Sequence, residues 1–257
     1  MLSDSTKLLA KTARQIGLNF VNEHDPESKF IKVNSLDSHY MDWGTSGKIP
    51  MLLLHGRTQL AHSWDFTALA FHDDFHVIAM DQRGHGDSGW SSDGDYSLNN
   101  HIPDINALVE ALGLRSIRLI GHSMGGRNSM VYTSLHPTRV ETLVLVDIAP
   151  LEDRPEGGAM SGAWQRLPKE ANSFEEFVQA AYEVNPRRTL EQLRGSLGHQ
   201  LRQFPNGKWS WKWDPALRDA DTIGWDVDRL WECAAKIRCP TLLIRGGDSG
   251  LVSDATV

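Results

Sequence analysis

The amino-acid sequence predicts an α/β protein, a doubly wound, mostly parallel sheet with a helical cap inserted between two of its strands. From residue 28 onward, strand-like and helix-like segments alternate, the signature of a sheet with crossover helices. The strand segments are mostly apolar rather than alternating, so helices must cover both faces. Between Leu151 and Ile237 the rhythm changes to mixed helix and loop, with six of the nine tryptophans, before the sheet pattern resumes at "CPTLLIRGG". An insertion at that point lies over the carboxyl ends of the strands, where such sheets place ligands. The expected division is an N-terminal helical extension (1–27), a core (28–150 and 238–257) and a Trp-rich cap (151–237).

Each element has its own signal. Leu9, Ala13 and Ile16 outline an amphipathic first helix. Ser28–Ser35 and Ser38–Thr45 read as an opening hairpin. "PMLLLHG" is a short buried strand, a helix follows over about 63–71, and "FHVIAMDQ" is the next strand, running into the Gly-rich loop "RGHGDSGWSSDGDYS". In "LNNHIPDINALVEALG", Ile102, Ile105, Leu108, Val109 and Leu112 stand near helical spacing and Gly113 stops the helix. Pro103 is tolerable there only in the first turn. "SIRLIGHS" then reads as strand, "MGGRNSMVYTSLHP" as helix and "ETLVLVDIAP" as strand.

Composition narrows the partners. The 257 residues suffice for a full core, and the net charge of −7 carries no compensating basic run. A small molecule is the expected partner, with no nucleic acid and no anionic membrane surface. No apolar run approaches the ~18 residues of a membrane span. The first twenty residues lack a secretory apolar core; an amphipathic helix describes them better than a transit peptide, and the cytoplasm is the expected address. Cys233 and Cys239 match neither a zinc nor a redox spacing and read as reduced packing residues. No cofactor and no metal are expected, and oligomeric state is not encoded in any of these features.

The chemistry centres on "LIGHSMGG", where Gly121 and Gly125 frame Ser123 as G-x-S-x-G. A strand precedes this motif and a helix follows. That context suits a sharp turn which lifts the serine hydroxyl above the sheet edge, at a helix N-terminus able to stabilise an oxyanion. Four segments in order, "LLLHGRTQ", "DQRGHGDS", "GHSMGG" and "LVLVDIAP", make the chain resemble the α/β-hydrolase superfamily over nearly all of residues 28–257. The resemblance is to its serine-nucleophile esterases with a compact cap, including small bacterial esterases of acyl esters and thioesters. Ser123 argues against the epoxide hydrolases and haloalkane dehalogenases of that fold, which use aspartate. The resemblance implies that the N–H groups of Arg57 and Met124 form the oxyanion hole.

A serine hydroxyl needs a histidine to take its proton and a carboxylate to orient that histidine, in the chain order Ser, acid, His. Two aspartates follow Ser123 at strand ends. Asp248 is one residue out of register with the late-turn pattern G-x-x-D, whose acid position falls on Ser249. In a subset of the superfamily the acid stands at the end of the preceding strand, which makes Asp147 the favoured acid and leaves Asp248 the alternative. Ser249 would then donate to the acid or the histidine. None of the eleven histidines follows the late strand. The resemblance therefore places the catalytic histidine, with a final strand and helix, beyond Val257, and implies little activity for this form. His199 in the cap is the only stand-in; His55 and His85 read as structural.

In "WSWKW", Trp209, Trp211 and Trp213 share one side of an extended segment. They suit an acyl or aryl group, or equally the packing of the cap on the sheet. The expected reaction is hydrolysis of a small or medium acyl ester or thioester through an acyl-Ser123 intermediate. A cofactor-free C–C bond hydrolase or perhydrolase would use the same residues, and a non-catalytic ligand-binding member of the fold is the alternative of another class.

Overall fold

The computed structural model describes residues 2–150, 166–218, 227–247, 249 and 252. In chain order these form α1 (Asp4–Gln15), β1 (Glu27–Val33), β2 (Leu36–Asp42), β3 (Ile49–Leu54), a 3-10 turn (Ala61–Trp64), α2 (Asp65–Phe71), β4 (Phe75–Met80), α3 (Leu98–Ala111), β5 (Ile117–His122), α4 (Met124–Leu135) and β6 (Val140–Val146). Then follow β7 (Glu170–Ala171), α5 (Phe174–Val184), α6 (Leu190–Gln200), β8 (Leu201–Gln203), β9 (Trp209–Trp211), a second 3-10 turn (Pro215–Arg218), α7 (Val227–Lys236) and β10 (Thr241–Ile244).

Seven strands form one sheet in the order β1-β2-β4-β3-β5-β6-β10. The opening hairpin β1/β2 and the β2/β4 pair are antiparallel, whereas β4, β3, β5, β6 and β10 run parallel. Successive residues of β3 explain its apolar run: Leu52 and Leu54 enter a core with α3, α4 and α7, while Met51 and Leu53 enter a second core with α1 and α2. Burial on both faces is what a parallel sheet with crossover helices demands.

α1 is capped by Ser3, whose side chain accepts from the Thr6 N–H, with Asp4 in its first turn and Arg14 in its last. Both charges oppose the helix dipole. Ala10 and Ala13 are buried and Leu9 is partly buried in the second core, as an amphipathic helix requires, but Ile16 lies past the helix end and is exposed. Pro103 also departs from expectation. It is the sixth residue of α3, beyond the first turn, where the missing N–H would normally cost helix stability. Burial of Leu98, Ile102, Ile105, Leu108 and Val109 against the sheet holds the helix through it.

The insertion is not only helix and loop. β7, β9 and β8 form a small antiparallel sheet, so "WSW" is a strand paired on both sides. Its apolar cluster with α5 and α6 includes Tyr96 from the loop after β4. The Tyr96 hydroxyl donates to Asp214, and the Asp214 N–H donates to the Gly84 carbonyl at 2.8 Å. The insertion is thereby tied to the Gly-rich loop.

That loop is tied to the core in turn. Buried Arg83 makes a two-point contact with buried Asp104 of α3, Nε to Oδ2 at 2.6 Å and Nη2 to Oδ1 at 3.0 Å, and Asn34 donates to the same carboxylate at 2.9 Å. Removing one partner of such a pair strands a buried charge. Asp104→Ala is expected to lower unfolding free energy by about 3–5 kcal/mol, read from the urea midpoint; a loss below about 1 kcal/mol would show that the pair does not anchor the loop.

Candidate active site

The carboxyl ends of β3, β5, β6 and β10 carry the candidate residues. Ser123 follows β5 at φ +49° and ψ −113°, a positive φ that L-residues avoid, and its carbonyl accepts from the Arg127 N–H to start α4. The flanking glycines are required by space. A Cβ on Gly121 would stand 2.4 Å from the Gly125 carbonyl oxygen, and one on Gly125 would stand 2.2 Å from the Leu54 carbonyl oxygen at the end of β3. The first turn of α4 thus sits directly on the strand that leads to the Arg57 loop.

Six non-glycine residues have positive φ among the described residues, and three of them belong here: Thr58 (+61°), Ser123 (+49°) and Asp147 (+52°). Strain of this kind persists where surrounding structure enforces it, and it gathers at functional sites. The Arg57 and Met124 N–H groups donate to no acceptor among the described residues. The Arg57 guanidinium is half-buried, and burial lowers its pKa.

Gln59 carries no motif signal, yet it links the two halves of the site. Its Oε1 accepts from the Gly56 N–H at 2.9 Å and from His122 Nδ1 at 3.0 Å, joining the loop after β3 to the residue before Ser123. The carbonyl end of the amide must face both donors, which fixes His122 with its proton on Nδ1. A Gln three residues beyond an H-G pair was the available signal, too weak to single out.

Asp147 follows β6, half-buried, with its N–H donating to the Ile244 carbonyl at 2.7 Å and its Oδ1 accepting from the Gly246 N–H at 3.4 Å. Burial lowers the His122 pKa, and the Asp147 carboxylate partly offsets that. The Ser249 N–H closes a turn onto the Gly246 carbonyl at 3.0 Å, and its Oγ accepts from the Val252 N–H at 3.2 Å. Asp248 lies outside the described residues.

All eleven histidines are described, and no histidine ring hydrogen-bonds Ser123. His55 is engaged at both nitrogens, by the Gly56 carbonyl at 2.7 Å and the Gln82 N–H at 3.0 Å, and it meets His85 edge to face, which agrees with the structural reading of both. His199 stacks on His62 with ring centroids 3.8 Å apart. The sequence's stand-in base therefore lies against His62 on a cavity that Ser123 does not line.

The tryptophans divide. Trp211 and Trp213 are both 3 % exposed and stack on each other in the cap core, where Trp211 Nε1 donates to the Pro168 carbonyl at 2.9 Å. Trp209 is half-buried against Phe174. Of the three, Trp211 alone borders a cavity of about 850 Å³ between α1, the first 3-10 turn and α5–α6, which Gln59 also lines and Ser123 does not. Packing therefore accounts for Trp213 and for most of Trp211.

A parallel sheet with a strained serine between strand and helix is the arrangement of an α/β hydrolase. Residues 49–257 match the family described as alpha/beta hydrolase fold, and the chain belongs to that family. The esterase Rv0045c of Mycobacterium tuberculosis is 31% identical over 98% of this chain and 82% of its own length. Its crystal structure covers all of this chain, with 84% of that chain matched, at a TM-score of 0.78 and 29% identity; a second structure, described as concerning its transition metal inhibition, also matches at 0.78. A 3-hydroxybutyrate-oligomer hydrolase of Cupriavidus necator is 29% identical over 85% of this chain and 79% of its own length. Among the described residues no helix is long and apolar enough to cross a membrane.

Buried histidines beneath the loops give a pH signature. Burial lowers the pKa of His85 to about 3, lowers that of His55, and lowers that of His101 well below its ordinary value. The unfolded chain, with histidine pKa near 6.5, binds more protons between those limits, so stability is full above about pH 6.5 and falls as pH drops. Each histidine contributes a slope of up to about 1.4 kcal/mol per pH unit. Urea unfolding from pH 7.5 to 5 is expected to show this decline, and His85→Gln to reduce its slope; an unchanged slope would contradict a neutral, buried His85.

Proposed function

We propose that this chain is a serine-dependent esterase acting on small or medium acyl esters or thioesters. The observation that carries the proposal is the strained Ser123 at the start of α4, together with the N–H groups of Met124 and of Arg57 in the neighbouring loop, which donate to no acceptor among the described residues. Donors that the described residues leave without acceptors can serve a group that arrives in the working state. A developing oxyanion would be such a group, and fixed donors aimed at it need no reorganisation during reaction. The names of two relatives matched over most of their length, an esterase and a 3-hydroxybutyrate-oligomer hydrolase, support ester cleavage.

In this scheme Ser123 Oγ attacks the acyl carbon, its proton passes to a base, and the tetrahedral oxyanion is held by Arg57 N–H and Met124 N–H. Collapse expels the alcohol or thiol, which takes the proton, and water then releases the acid from the acyl-Ser123 ester by the same route reversed. Asp147 is the acid that would orient the base, supported by its positive φ and its effect on the His122 pKa. No histidine of the 257 residues stands against Ser123, so this chain is proposed to turn over esters slowly. That same gap favours the second reading, a non-catalytic binder.

A p-nitrophenyl ester panel tests the proposal, on this chain and on a form carrying any sequence that follows Val257 in its gene. Turnover is expected to fall to background in Ser123→Ala and by about 10³–10⁴ in Asp147→Asn, with Asp248→Asn changing it less than tenfold. Absence of Ser123-dependent turnover in every form would leave the binder. Loss in Asp248→Asn rather than Asp147→Asn would move the acid to the late turn.

A further inference from the structure

Away from Ser123, the wall of the large cavity brings together two imidazoles and a carboxylate. His62 lies in the first 3-10 turn, Asp65 opens α2, and His199 is in the last turn of α6 in the insertion. One ligand atom from each falls within 4.8 Å of the other two. We propose that His62, Asp65 and His199 form a binding site for a divalent transition-metal ion that fastens the insertion to the core.

Geometry supports this first. Ligand atoms held about 2.0–2.2 Å from one ion stand roughly 3–4 Å from each other. His62 Nδ1 and Asp65 Oδ2 are already 2.9 Å apart, three residues apart where the 3-10 turn runs into α2. Only His199 must adjust, by turning its ring out of the stack with His62. The mixed imidazole and carboxylate set suits zinc, nickel, cobalt or copper rather than calcium or magnesium.

Availability supports it next. A second cluster, His39, Asp81 and Asp87, is spent on the fold: His39 Nδ1 donates to Asp81 at 2.7 Å, and Asp81 also accepts from the N–H groups of Ala61 and Asp87. In the His62 cluster, by contrast, His62 Nδ1 is engaged only by Asp65, itself a proposed ligand, His199 Nδ1 makes no hydrogen bond among the described residues, and His199 Nε2 has only a 3.5 Å approach from Ser5 Oγ. All three side chains line the cavity, which provides an entry path and room for water at the remaining coordination positions.

Charge supports it last. Asp65 and Asp81 act on His62, and Asp65 and Asp87 on His199, opposed by Lys212. Lys212 is itself paired with Asp87 at 2.8 Å. The local balance favours a cation. An ion bound there would join the core segment at His62 to cap helix α6, and the proposal is independent of the chemistry assigned to Ser123.

The test is a zinc titration of the untagged, chelator-stripped 257-residue chain by calorimetry, with circular dichroism of each variant to verify folding. One equivalent is expected to bind saturably. His62→Gln, Asp65→Asn and His199→Gln should each weaken that site by about 10-fold or more, His136→Gln should leave it unchanged, and His199→Asp, which keeps a ligand, should recover most of the affinity. Cobalt titration should give visible ligand-field bands that His62→Gln and His199→Gln lose. No saturable binding, or binding that folded His62→Gln and His199→Gln leave intact, would overturn the proposal.

Discussion

The site depends on one steric constraint, the absence of room for a Cβ where α4 meets the end of β3. Gly125 lies so close to the Leu54 carbonyl that any side chain would collide with backbone, and Gly121 is pressed in the same way against Gly125. This crowding forces the chain to reverse within a single residue, and Ser123 takes the strained conformation that the reversal requires. Strain of that kind costs on the order of 1–3 kcal/mol. It is offset by the burial of α4, whose Met130, Val131 and Tyr132 enter the core against the sheet. The same contact sets the Met124 N–H, at the start of α4, beside the loop that carries the Arg57 N–H.

Around that contact the polar groups are arranged to hold loops, not to pair with one another at random. Asp81 accepts from His39, from the Ala61 N–H and from the Asp87 N–H, so one buried carboxylate joins β2, the first 3-10 turn and the Gly-rich loop. Burial alone would raise its pKa, but these donors, His39 above all, hold it below the ordinary carboxylate value. Gln59 does the equivalent work nearer the serine, between Gly56 and His122. A rigid frame of this kind suits catalysis by positioning, where donors must already stand where charge will develop.

Much of this was legible in the sequence because it is local. The apolar strands, the G-x-S-x-G turn and Asp147 at a strand end all announce themselves within a few residues. Asp147 also carries a positive φ, +52°, as Ser123 does. What escaped notice depends on partners distant in the chain. Gln59 matters through His122, "WSW" becomes a strand only through Glu170–Ala171 and Leu201–Gln203, and His199 meets His62 because the insertion folds back over the core. Pro103 shows the converse, a local rule overridden by the burial of the helix around it.

The central claim is that the Arg57 and Met124 N–H groups converge on an oxyanion formed at Ser123. A crystal structure of the chain after prolonged reaction with an alkyl fluorophosphonate tests it most directly. The account predicts a bond from phosphorus to Ser123 Oγ, with the phosphoryl oxygen about 2.7–3.1 Å from both nitrogens. A phosphoryl oxygen turned away from those N–H groups, or modification of another residue in place of Ser123, would contradict it.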